Sequence, residues 1–153
     1  MKNILVVCLG NICRSPLAEG ILLNKIKQNN LKDIYIDSAG TAAYHIGENP
    51  DKRSIANAKK HGIDISKFVA RQFVVKDFDA FDKIFVMDTS NFADVLALAR
   101  NDGDRNKVDL ILNTIYPKQN NSVPDPYFGR EEGFENVYLM LDRACDAVLK
   151  GDI

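Results

Sequence analysis

The tightest constraint on this chain lies between Ile4 and Pro16, where the sequence reads I-L-V-V-C-L-G-N-I-C-R-S-P. Ile4 to Cys8 is a continuous apolar run rich in valine, the pattern of a strand covered on both faces in a parallel sheet. Ser15 reads as an N-cap and Pro16 as the first residue of a helix. Only a few residues join the two elements. Cys8 and Arg14 bracket that loop with five residues between them, so the loop curls with a sulfur at its centre and a guanidinium at its rim. Backbone N–H groups converge inside such a loop, and the helix adds its positive end, which makes the stretch an anion cradle.

The rest of the chain alternates strand and helix signals. Leu17, Ala18, Ile21, Leu22 and Ile26 recur at helical spacing, with Asn29 and Asn30 as the stop. Ile34, Ile36 and Ser38 alternate along a second strand that ends at Ala39 and Gly40, and a loop with Gly47 and Pro50 follows. Arg53 to His61 reads as an amphipathic helix with Ile55, Ala56 and Ala58 inward and Gly62 as a left-handed cap. Lys83–Met87 is a third strand, Ser90 opens a helix with Phe92, Val95, Leu96 and Ala99 inward, and Val108–Leu112 is a fourth strand. The last helix runs from about Gly133 to Lys150. The expected fold is an α/β single domain over residues 1–153, a doubly wound four-stranded parallel sheet flanked by helices on both faces. Ligands bind such sheets beyond the carboxyl ends of the strands, which Cys8, Asp88 and the Asp125 loop all follow. Residues 113–129 carry no periodic pattern, and a loop of that length in a compact domain is usually functional.

Composition sets the remaining bounds. Lys+Arg 20 against Asp+Glu 21, scattered along 153 residues, gives no electrostatic footprint for nucleic acid or membrane, so anion binding must be local. The apolar run at Ile4 is too short for a signal peptide, and three cysteines do not make a disulfide scaffold. A reducing cytoplasm is expected, with export without a signal peptide left open. A monomer is expected as well. A nucleotide P-loop is excluded because G-x-x-x-x-G-K-[ST] is absent, and Cys8 with Cys13 lacks partners for zinc. Neither metal nor cofactor is expected.

On residue type alone Cys8 is a small buried hydrophobe. Arg14 and the loop change that reading. A free thiol is only about 3% ionised at pH 7, and an electropositive loop at a helix N-terminus raises that fraction without a histidine base. His45 and His61 are accordingly read as solvent-exposed and uninvolved. Arg14, with its planar fork, can hold two phosphoryl oxygens and follow the charge that develops on them. Gly10 and Asn11 suit positive φ, and the Ser15 hydroxyl is placed to donate to the Cys8 sulfur. Asp125, between Pro124 and Pro126, reads as a turn whose prolines fix where the carboxyl points.

The combination C-L-G-N-I-C-R-S-P with D-P-Y at Asp125 to Tyr127 resembles the low-molecular-weight protein-tyrosine phosphatases. D-S-A-G at Asp37 to Gly40, A-R-Q at Ala70 to Gln72 and M-D at Met87 and Asp88 extend the resemblance over nearly the whole chain. It implies hydrolysis of phosphotyrosine and small aryl phosphates through a phosphocysteine on Cys8, with Arg14 on the phosphoryl group and Asp125 as general acid and then base. Leu9, Gly10, Asn11, Ile12, Cys13 and Ser15 would form the binding loop, with phosphate or another oxyanion in it. Tyr44 and Tyr127 would flank a phenyl ring above Ile12. Asn11 and Ser38 would be a supporting hydrogen-bond pair, and Cys13 a redox guard. Phe68 stands where many members have histidine, and Phe128 replaces a second tyrosine of some members. Two other chemistries share the fold. A thiol-dependent arsenate reductase needs a relay of further cysteines, which are missing between Cys13 and Cys145. A protein-arginine phosphatase carries a smaller residue at the position of Ile12.

Overall fold

Seven residues of the opening run, Lys2–Cys8, form strand β1, and in the computed structural model, which describes residues 2–151, every other element is arranged about it. Helix α1 (Arg14–Gln28) leads to β2 (Ile34–Gly40), and α2 (Lys52–Lys60) and the single turn α3 (Asp77–Ala80) precede β3 (Lys83–Val86). Then come α4 (Thr89–Leu96), the short α5 (Asp102–Asn106), β4 (Val108–Leu110), a 3-10 turn (Ile111–Thr114) and α6 (Glu131–Lys150). The four strands pair in parallel in the order β2-β1-β3-β4.

Alternation along β1 explains the two layers. Ile4, Val6 and Cys8 point into one core with Leu17, Ile21 and Leu22 of α1 and Val137, Leu141 and Cys145 of α6. Leu5 and Val7 point the other way, into a core with Phe78, Val86, Val95 and Leu110. A strand buried on both faces needs apolar residues at every position, which is why Ile4 to Cys8 shows no polar alternation. Because β1 has neighbours on both sides, from connections that leave in opposite directions, its carboxyl end opens onto the crevice where this class of sheet binds ligands.

Element ends differ from the sequence reading for local reasons. Helix α1 begins at Arg14 with Cys13 half in the helix and no side-chain cap, since the Ser15 hydroxyl is turned to the Cys8 sulfur instead. Asp88, not Ser90, caps α4 by accepting from the Asn91 N–H at 2.7 Å. Strand β4 stops at Leu110; Ile111 and Leu112 stay buried but belong to the 3-10 turn. Helix α6 starts at Glu131, where two acidic residues face the positive end of its dipole. Ala56 is exposed on α2, whose buried positions are Ser54, Asn57 and Ala58. Gly62 adopts φ +77 and closes that helix. His61 is half-buried, stacked on Tyr138 at 3.6 Å and bonded to Glu135, and so is not the solvent-exposed side chain expected of it.

Candidate active site

The loop from Cys8 to Arg14 is held open by its carbonyls. Those of Cys8 and Leu9 accept from the N–H groups of Thr41 and Ala42, that of Ile12 from Asp51, and that of Cys13 from the Ser54 hydroxyl. With those carbonyls tied outward, the amides of the same peptide units, those of Leu9, Gly10, Cys13 and Arg14, face the other way. Among the described residues those of Gly10 to Cys13 donate to no protein acceptor. Asn11 supports the reversal with φ 58, a value its side chain tolerates. Gly10 does not use a positive φ, contrary to expectation. Its missing Cβ matters for room, since one would lie 3.0 Å from the His45 ring.

Gly40 is the tighter requirement, because a Cβ there would meet the Leu9 carbonyl at 2.7 Å and the Asn11 nitrogen at 3.0 Å. The loop therefore rests directly on the end of β2. The A-R-Q stretch forms a rail beside it: Gly40 N–H donates to Arg71 O, Phe73 N–H to Gly40 O, and Arg71 N–H to the Asn11 side-chain oxygen. Arg71 is itself clamped by Asp37 and Asp77.

Behind the loop runs a chain of polar side chains. The Ser15 hydroxyl lies 3.1 Å from the Cys8 sulfur, and Asn11 donates to Ser15 at 2.7 Å and to Ser38 at 2.9 Å. Ser38 in turn donates to Glu19 at 2.5 Å. Phe68, partly buried against the main core, contributes only its backbone, whose carbonyl accepts from Asn49. Burial pushes the Glu19 carboxyl up from an ordinary 4.5 to about 7, opposed by the Ser38 hydrogen bond and reinforced by Asp37. A raised carboxyl makes a contribution to stability that is complete at low pH and is lost as the pH rises through about 7. Glu19→Gln keeps the Ser38 contact and removes the titration. Denaturant midpoints at about pH 5 and about pH 8 are therefore expected to fall further apart for the wild type than for the variant. An equal pH dependence in both would remove Glu19 from this role.

The cavity above the loop has a volume of about 220 Å³. Cys8, 2% exposed, forms its floor rather than standing exposed, and Leu9, Gly10, Ile12, Cys13 and Arg14 complete the base. Tyr44, His45, Asp125, Tyr127 and Phe128 form the walls, with Tyr44 75% exposed. Asn11, Ser15 and Ser38 stand behind the base instead of lining it. Arg14 is 2% exposed and aimed by two acceptors: it donates to Asp88 at 2.7 Å and to the Val123 carbonyl at 2.9 Å. Its other terminal nitrogen lies 3.7 Å from the Asp125 carboxylate, and both groups line the cavity floored by the Cys8 sulfur. Asp125 also accepts from the Tyr127 N–H at 3.1 Å, which fixes the turn.

Burial holds the Cys13 thiol far above the usual range, with Asp51 and then Cys8 and Asp125 adding to the effect. Cys145 is also pushed up by burial and lies against the Ala18 carbonyl, far in sequence from the loop.

Three contributors escaped the sequence reading, and a fourth, Phe128, was named there only as the replacement of a tyrosine. Asp88 was legible as a landmark and a strand end but not as the partner of Arg14. His45 is a cavity wall, held by Glu48 at 2.9 Å and 6.3 Å from the Tyr127 ring centre. Phe128, almost fully exposed, stacks edge-on with Tyr127. Glu19 ends the polar chain.

A sequence model of the low molecular weight phosphotyrosine protein phosphatases matches residues 3–151. The human low molecular weight phosphotyrosine protein phosphatase is 40% identical over 151 residues, covering 97% of this chain and 94% of that protein. Among solved structures, a protein tyrosine phosphatase from Entamoeba histolytica with Hepes in the active site superposes with TM-score 0.92 at 35% identity, over 98% of this chain and 96% of that one. A Drosophila arginine phosphatase superposes with TM-score 0.90 at 34% identity over the full length of both chains.

Proposed function

The chain belongs to the low molecular weight phosphotyrosine protein phosphatase family, a family of hydrolases, and from that premise we propose that it hydrolyses phosphotyrosine through a phosphocysteine on Cys8. The single observation that carries this reading is the convergence of the Cys8 sulfur, the Arg14 guanidinium and the Asp125 carboxyl on one cavity, with Arg14 and Asp125 3.7 Å apart. A phosphoryl group in the loop accepts hydrogen bonds from the inward amides and from Arg14. The Cys8 sulfur attacks phosphorus, the bond to the phenolic oxygen breaks, and Asp125 gives that oxygen its proton. Water then attacks the phosphocysteine; Asp125 takes its proton, the sulfur–phosphorus bond breaks and phosphate leaves. Ser15 favours negative charge on the sulfur each time it departs or waits. Leu9, Ile12, Tyr44 and Tyr127 hold the phenyl ring.

We assign residues 1–153 to one phosphatase domain, acting as a monomer in a reducing cytoplasm. The near balance of charge supports neither a nucleic acid nor a membrane as partner. No helix among the described residues is long and apolar enough to cross a membrane.

A phosphoarginine substrate is the second reading, favoured by the similarity to the Drosophila arginine phosphatase. Ile12 weighs against it. That side chain is packed with Cys13, Ala70 and Phe134 and narrows the cavity towards a flat ring. An arsenate reductase finds no support from Cys145, which lies fully buried in the main core against the Ala18 carbonyl.

The deciding assay compares phosphotyrosine, phosphoserine and phosphoarginine peptides. Phosphotyrosine is expected to be the preferred substrate, with vanadate and phosphate competing and chelators without effect, because loop amides and Arg14 supply the positive field. Preference for phosphoarginine, or activity that needs a divalent metal, would refute the reading.

Redox sensitivity is part of the same proposal. Peroxide oxidises the Cys8 thiol to sulfenic acid with release of water, and the Cys13 thiol then displaces a second water to close a disulfide. Thiol reductants reopen it. The raised Cys13 thiol makes that closure slower than with an ordinary thiol. After a brief peroxide pulse and dithiothreitol, wild type is expected to recover and Cys13→Ser to remain inactive. Equal recovery with no Cys8–Cys13 peptide would leave Cys13 as packing alone.

A further inference from the structure

Arg53 lies outside the cavity, on the second residue of α2, yet it makes more directed contacts than any other side chain near the Asp125 loop. Its terminal nitrogens donate to the backbone carbonyls of Tyr127 at 2.8 Å and Gly129 at 3.2 Å. Asp51 holds the same guanidinium from the other side at 3.0 Å through both carboxylate oxygens. The plane rests 4.7 Å from the Phe134 ring centre and 5.6 Å from that of Tyr127. Three elements meet on this one group: the N-terminus of α2, the loop that carries Asp125, and the first turn of α6.

We propose that Arg53, oriented by Asp51, is the positioning residue that sets where the Asp125 carboxyl stands over the loop; this rests on the reading of Asp125 as proton donor. On its amino side the loop is held through Val123, whose N–H donates to Met87 O and whose carbonyl accepts from Arg14; from Asp125 onward it has fewer anchors. Pro124 and Pro126 lack N–H groups, Asp125 spends one oxygen on the Tyr127 N–H, and the turn closes on itself through Gly129 N–H to Pro126 O. Carbonyls at 127 and 129 are the free handles, and a guanidinium fork is the group that grips two of them at once. Asp51 completes the device. The Arg53 guanidinium beside it holds its carboxyl below the usual carboxylate range, so the clamp stays charged in acid. The same aspartate accepts from the Arg53 N–H as cap of α2, which ties the guanidinium's position to the helix and, through the Ile12 carbonyl bonded to Asp51 N–H, to the binding loop itself.

A displaced proton donor has a particular kinetic signature. Good leaving groups need little protonation, and poor ones need it fully. Arg53→Met keeps the stem against Phe134 and removes the fork; Arg53→Lys can reach one carbonyl; Asp51→Asn keeps the helix cap and removes the charge on the clamp. Each is measured on a series of aryl phosphates, with Asp125→Ala and the Arg53→Met/Asp125→Ala double variant alongside, and vanadate inhibition as a check on the loop. For Arg53→Met the loss of kcat/KM is expected to be about 10- to 100-fold on phosphotyrosine, the scale of a misplaced catalytic group, and several times less on p-nitrophenyl phosphate. Arg53→Lys and Asp51→Asn are expected to fall between it and wild type. Vanadate inhibition should be unchanged, and in the Asp125→Ala background the Arg53 substitution should cost almost nothing further. Equal losses on all leaving groups, or an undiminished loss in that background, would overturn the proposal. If Asp125→Ala itself showed no dependence on leaving group, the proton-donor reading would fail first and this inference with it. Should Arg53→Met not fold, the lysine and asparagine variants carry the same comparison.

Discussion

Replacing Cys8 by serine is expected to abolish turnover, by roughly 10⁴- to 10⁶-fold, the scale on which loss of a catalytic nucleophile registers. Binding of phosphate or vanadate should survive almost intact. The two results separate because the cradle and the nucleophile are built from different atoms. Carbonyls of residues 8, 9, 12 and 13 are tied outward whatever the side chain at position 8, so the amides remain aimed at the cavity. Arg14 stays in place through Asp88 and Val123. Only the sulfur is lost, and a hydroxyl is a far weaker nucleophile at neutral pH. Isothermal titration with phosphate alongside steady-state kinetics makes the comparison. Loss of phosphate binding together with turnover would mean that the sulfur, rather than the amides, organises the loop.

Arg14→Lys is the second large effect, expected to lower kcat by on the order of 10³-fold and to weaken phosphate binding at the same time, unlike Cys8→Ser. A lysine carries the charge but not the fork, and it cannot serve Asp88, the Val123 carbonyl and two phosphoryl oxygens from one ammonium. Because the side chain is almost wholly buried, the substitution should also reduce stability, leaving Asp88 or Val123 without its donor. Stopped-flow kinetics with competitive inhibition by phosphate reads the first part, and thermal denaturation the second. Near-wild-type kcat in the lysine variant would reduce Arg14 to an electrostatic tether.

How much of this was legible beforehand follows from the range of each signal. Strand β1 and the loop after it are contiguous, and their chemistry is written in adjacent letters. Helices α3 and α5, at four and five residues, are too short to show a period, and they went unseen. Ile111 and Leu112 read as strand because a 3-10 turn buries the same apolar residues. Asp88 is 74 positions from Arg14, and no local pattern announces that pairing. His45 lies in a loop with no periodicity, brought to the cavity wall by the packing of residues 41–51 on the Gly40 and Ala70 rail. Glu19 sits between the apolar positions of α1 with no local signal of its own, and it is β2 that folds Ser38 onto it. The loop from Cys8 to Arg14 was local, and its supports were tertiary.

The covalent intermediate is the claim on which the rest depends, and it is tested most directly by acid-quenching Asp125→Ala during turnover of an aryl phosphate and mapping the peptides by mass spectrometry. The account predicts one phosphoryl group on the peptide carrying Cys8 in that variant, less of it in wild type, where Asp125 activates the water that removes it, and none in Cys8→Ser. Turnover without any phosphorylated peptide, or with the phosphoryl group on a residue other than Cys8, would contradict it.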